Sequence, residues 1–102
     1  MSQKFRVANV NDLAVGKGIE VVAGDRVIAM FRTETGLHAI DGICAHAGGP
    51  VGKGVLTGSV VTCPWHGWQY DVTNGKHCLT PRICQQPFPT SIEGEDVYVE
   101  LP

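Results

Sequence analysis

The chain has no apolar run near the twenty residues that a membrane helix needs. It also has no cluster of lysine and arginine, and its formal net charge is −2, so nucleic acid and anionic membrane are poor partners. The opening MSQKFRVANV lacks the apolar core of a secretory signal, and no N-terminal anchor is present, which points to the cytoplasm. Internal repeats, low-complexity stretches and helical periodicity are all missing. No pairing of nucleophile and base is legible, so the sequence gives no ground for bond-making catalysis. At 102 residues the chain can bury one modest core and reads as one domain.

What is there is short and β-like. Lys4–Val10, Ile19–Val22, Arg26–Arg32, Leu37–Ile40, Ser59–Thr62, Gln69–Val72 and Asp96–Leu101 read as strands. Turn signals separate them: Ala23-Gly24-Asp25, Thr33-Glu34-Thr35-Gly36 and Thr73-Asn74-Gly75-Lys76. Val51–Leu56 reads as a glycine-punctuated loop, and His77–Pro89, interrupted by prolines, as irregular chain. Many short strands joined by Gly-rich turns predict an all-β antiparallel sandwich or barrel.

The chemistry is concentrated between Cys44 and His66. Cys44-Ala45-His46 opens this stretch and Cys63-Pro64-Trp65-His66 closes it, sixteen residues later. Each pair offers one thiolate and one imidazole from a single turn. Four such donors can hold a tetrahedral zinc or an iron–sulfur cluster. Ordinary zinc fingers pair Cys with Cys and His with His. Here each loop carries one of each, which suits a two-metal centre with sulfur on one ion and nitrogen on the other.

The pattern C-x-H-x16-C-x2-H, set in CAHAGGPVGKG and TCPWHGWQYDVTNGK, resembles the Rieske family, as do the flanking GLHAIDGIC and EGEDVYVEL. The resemblance implies an antiparallel β base domain carrying an inserted cluster-binding subdomain, about residues 42–70. It also implies one 2Fe-2S cluster per chain, with Cys44 and Cys63 on the inner iron and His46 and His66 on the outer one. Two neutral imidazoles in place of two thiolates make the centre less negative, which raises its potential to about −150 to +300 mV, against about −400 mV for plant-type ferredoxins. The function implied is that of a ferredoxin: a one-electron carrier, not itself an enzyme. It would work as a monomer in transient contact with a flavin-dependent reductase and a terminal oxygenase of the aromatic-ring dioxygenase type. Two other readings stay open, the small subunit of an assimilatory nitrite reductase and a zinc-binding or redox-sensing module.

The chain departs from the high-potential respiratory branch of that family. Gly49 and Trp65 stand where that branch has two disulfide-bonded cysteines, and Trp68 where it has a serine that bonds a bridging sulfide. Tyr70 matches its tyrosine, which bonds a ligand cysteine. One hydrogen-bond donor of two is thus kept, and a potential near or below zero is expected. Trp65 and Trp68 are expected to pack around the cluster, with Trp65 also offering apolar contact surface. Cys78 and Cys84 are expected to be buried small hydrophobes, and His38 and His77 surface or strand histidines.

Overall fold

The computed structural model describes residues 3–45, 48–65, 67–80 and 82–102. Among the described residues ten strands run in chain order: β1 (Gln3–Asn9), β2 (Lys17–Ala23), β3 (Arg26–Thr33), β4 (Gly36–Asp41), β5 (Val55–Thr57), β6 (Val60–Thr62), β7 (Gln69–Asp71), β8 (Pro87–Phe88), β9 (Thr90–Glu93) and β10 (Asp96–Leu101). They form three sheets, ordered β1-β10-β9, β2-β3-β4-β8 and β5-β6-β7, and every pairing is antiparallel. The all-β expectation holds. The only helical turns among the described residues are two three-residue 3₁₀ turns, Val10–Asp12 and Val51–Lys53.

The first two sheets pack face to face as a sandwich. Ala8, Val97 and Val99 from one meet Val21, Ile28, Met30, Ala39 and Phe88 from the other. A second core lies on the opposite face of β3 and β4. There Ala29, Phe31 and Ile40 meet Val51, Val61, Tyr70, Val72 and the two cysteines Cys44 and Cys63. Strand side chains alternate between faces, so β3 serves both cores at once, and Ile28, Ala29, Met30 and Phe31 are all fully buried. Burying an apolar side chain of this size is worth roughly 1.5–3 kcal/mol. The wall behind the thiols is therefore the most firmly held strand of the fold.

Three segments differ from the sequence reading. Val51–Leu56 is not a loop throughout: after the 3₁₀ turn, Val55–Thr57 pairs with β6 as an edge strand. Its three residues and interspersed glycines leave too short a pattern to read. Within His77–Pro89, Pro87–Phe88 forms a two-residue strand at the edge of the second sheet, where the missing N–H of Pro87 is tolerated. Thr90–Glu93, which carried no strand signal, pairs with β10 as an edge. It alternates poorly because one face covers little and the other is wet.

Candidate functional site

Two loops leave the second core and meet. The first follows β4. Gly42 N–H donates to the Val27 carbonyl at 3.0 Å and Ile43 N–H to Asp41 Oδ1 at 3.1 Å, which fixes the exit from the strand. Cys44 N–H then donates to Gly49 O, and Gly48 N–H back to Cys44 O, both at 2.9 Å, closing the loop on itself. The second loop joins β6 to β7 and is closed by Cys63 N–H donating to Trp68 O at 2.8 Å. The loops touch at Gly49. A Cβ there would stand 2.8 Å from both Cys63 Sγ and Trp65 Cγ, so only glycine allows this approach. Where the respiratory branch would carry a disulfide, this chain packs a bare backbone against an indole.

Cys44 and Cys63 are 2% and 1% exposed and join the same core, and neither is in a disulfide. Burial pushes the Cys63 thiol up, and the adjacent Cys44 thiol adds to the shift. Their partners in the motif, His46 and His66, lie outside the described residues. Tyr70, fully buried on β7, places its hydroxyl 3.2 Å from Cys44 Sγ. Burial, with Cys44 beside it, drives the Tyr70 hydroxyl well above its ordinary value, so it stays protonated and can donate to the sulfur. The sequence comparison that matched Tyr70 to a sulfur-bonding tyrosine is borne out in geometry.

Trp68 is half-buried against the second core, and Trp65 is 50% exposed. His38 lies half-buried on β4. His77 is a correction: it is a buried side chain, 7% exposed, and no surface histidine. Its Nδ1 accepts N–H bonds from Leu79 and Thr80, both at 3.1 Å, which puts the ring proton on Nε2. Nε2 has no hydrogen-bond partner among the described residues. The ring instead stands edge-to-face with Trp68 at 4.6 Å and Tyr70 at 5.5 Å. Cys78 and Cys84 are a second correction, since both are exposed rather than buried. They occupy an irregular segment whose buried positions go to His77 and Gln85 instead.

Gln85 was not found from sequence. It is 3% exposed, and its amide ties the first loop down at three points. Nε2 donates to Asp41 O at 2.9 Å and Ile43 O at 2.6 Å, and Oε1 accepts from Ala45 N–H at 3.0 Å. Gly75, at φ +77°, makes room for the Gln85 backbone: a Cβ there would lie 1.8 Å from Gln85 O. A glutamine in a proline-broken stretch carries no periodic signal, and only the fold shows that it brackets Cys44.

No helix among the described residues is long and apolar enough to cross a membrane. The ferredoxin component of the alkene monooxygenase system of Xanthobacter autotrophicus is 33% identical to this chain over 94 residues, covering 91% of this chain and 77% of its own. Among solved structures, a chain in the complex of reduced oxygenase and oxidised ferredoxin of carbazole 1,9a-dioxygenase superposes with a TM-score of 0.84 at 26% identity. That match covers 94% of this chain and 91% of the other. The structure described as a putative NADH-dependent nitrite reductase small subunit from Mycobacterium tuberculosis gives a TM-score of 0.90 at 18% identity, over 100% and 97% of the two chains, a likeness of fold. The family model for the Rieske [2Fe-2S] domain matches residues 3–90, both loops and every strand up to β8, and the chain belongs to that family.

Proposed function

We propose that this chain is a soluble one-electron carrier that holds its Rieske cluster on Cys44, His46, Cys63 and His66. In this reading it takes electrons from a flavin-dependent reductase and passes them to a terminal oxygenase by transient contact, as a monomer in the cytoplasm. The observation that carries it is the buried thiol pair. Two unbridged cysteines from separate loops share one core with a protonated tyrosine hydroxyl aimed at one of them. A buried thiol that must ionise gains nothing from that setting without a metal to replace its proton. When bound, the cluster accepts and releases one electron at a time. Tyr70 bonds the Cys44 sulfur, Gln85 ties down the first loop, the Gly49 contact sets that loop against the second, and the second core excludes water from the sulfur side. Four thiols without a disulfide suit a reducing compartment. The similarity to ferredoxin components supports the carrier role.

The domain organisation follows the same reading: one Rieske domain over 1–102, with a cluster-binding subdomain at about 42–70. The separate β5-β6-β7 sheet supports that boundary on the chain's middle segment. The test is a redox titration of the purified protein joined to size-exclusion chromatography of the native extract. The carrier reading expects a reversible one-electron couple near or below zero and elution apart from any large redox subunit. Co-elution with a sirohaem-containing chain would instead make this the small subunit of a nitrite reductase. A colourless zinc protein would end both readings.

A further inference from the structure

The charges of this chain are unevenly divided. Between Gly42 and Gln86 the only carboxylate is Asp71, set against Lys53, Lys76 and Arg82, a net charge of +2. The rest of the chain carries nine carboxylates against five cations, net −4. The ion pairs follow the same division. Lys4 pairs with Glu93, Arg6 with Asp96 at 2.9 Å and Arg26 with Asp41 at 3.6 Å, all on the sandwich. Lys53, Lys76 and Arg82 are exposed and enter none of these pairs. Asp71 is partly buried and its Oδ1 is taken by Thr73, through N–H at 2.9 Å and the hydroxyl at 2.6 Å.

Two of the cations stand in the segment that frames the site. The backbone of Lys76 bridges to Cys84, next to the Gln85 amide that holds the Cys44 loop. Arg82 precedes Ile83, which packs against the core of Cys44 and Cys63. The same segment exposes Leu79 at 87%, and the two loops it borders expose Trp65 at 50% and Ile43 at 47%. It also holds a groove of about 390 Å³ between Gly67–Gln69 and Leu79–Thr80, with His77 in its wall. Lys76 and Arg82, which enter no ion pair among the described residues, flank the segment that exposes Leu79, and cations beside an apolar anchor discriminate partners by sign of charge. The Debye length is about 10 Å at 0.1 M salt, whereas the molecule is 36 Å in its longest dimension. A partner approaching the Lys76–Gln86 segment therefore feels Lys76 and Arg82, with Asp71 beside Lys76, more than the carboxylates of β9 and β10, and net charge misstates what it meets.

We propose that the redox partner docks over Trp65, Leu79 and the adjoining groove through an apolar patch rimmed by carboxylates, despite the negative charge of the chain as a whole. The inference rests on the carrier reading and adds the chemistry of the surface that the carrier recognises.

The test uses small oxidants in place of the unidentified partner. The reduced protein is mixed with ferricyanide, an anion, or with tris(phenanthroline)cobalt(III), a cation, at rising ionic strength. In each reaction one electron leaves the protein, giving ferrocyanide or cobalt(II). Attraction at the cluster end predicts that the ferricyanide rate falls about threefold or more between low and moderate salt, while the cobalt rate rises. The double substitution Lys76→Glu with Arg82→Glu should invert both trends, and Lys4→Glu should leave them unchanged. A ferricyanide rate that climbs with salt, as the net charge of −2 dictates, would overturn the proposal and leave the carrier reading intact, as would salt dependence indifferent to Lys76 and Arg82. Rate constants that vary with protein concentration would put a second copy's acidic end on the patch and overturn the partner assignment. Failure to find any reducible cluster would defeat the carrier reading itself, and is visible in the absorption spectrum before mixing.

Discussion

Removing the Tyr70 hydroxyl isolates one interaction with the centre. Tyr70→Phe keeps the ring, which is fully buried and packed on His77, and deletes the donor 3.2 Å from Cys44 Sγ. That bond strengthens as the centre gains negative charge, so its loss should disfavour the reduced form. One net hydrogen bond is worth about 1 kcal/mol, or about 40 mV for a one-electron couple. A redox titration of Tyr70→Phe should give a midpoint lower by about that amount with the absorption spectrum little changed. At this scale the two thiols and the tyrosine beside them were legible. Cys44, Cys63 and Tyr70 were named from spacing and resemblance, and all three share one core. His77, Cys78 and Cys84 were misassigned because residue type predicts burial only on average. His77 is buried since two backbone N–H groups and two aromatic rings satisfy it, a circumstance invisible in the letters around it.

Among the elements, the segment from Lys76 to Gln86 was the least legible and matters most to the site. Its prolines and polar residues read as loop, and most of it has no regular structure. Yet His77 N–H donates to Ile83 O at 2.8 Å and Cys78 N–H to Gln69 O at 2.9 Å, folding it into a flap beside β7. Gln85 then reaches across to the first loop. Gln85→Leu preserves volume and leaves two carbonyls and one N–H of the part-buried first loop without their side-chain partner. Each unpaired buried group costs about 1–3 kcal/mol, so a loss of at least about 2 kcal/mol is expected. Denaturant unfolding followed by far-ultraviolet circular dichroism would show it as a lower midpoint at unchanged slope. The strands that did announce themselves are those with two demanding faces, β3 above all. Edge strands β5, β8 and β9 pack against little, so no strong pattern was imposed on their residues.

The whole molecule is two cores on either side of one sheet, and they do not depend on the metal equally. The sandwich core contains no proposed ligand and should persist without the cluster. The second core has two cysteines in its lining and should loosen when they lose their metal. Hydrogen exchange on cluster-loaded and cluster-free protein should show protection lost across residues 42–70 and retained in β2, β3 and β10. Equal protection throughout would mean that the loops hold their shape unaided.

The central claim is that sulfur ligates one iron and nitrogen its neighbour. Paramagnetic resonance of the reduced protein, with the hyperfine couplings of ligand nitrogen resolved, tests it most directly. The account predicts one unpaired spin per chain, coupled to two histidine nitrogens whose couplings rescale and lose their quadrupole splitting when histidine is labelled with nitrogen-15. A diamagnetic sample holding zinc, or a spin with no coupled histidine nitrogen, would contradict it.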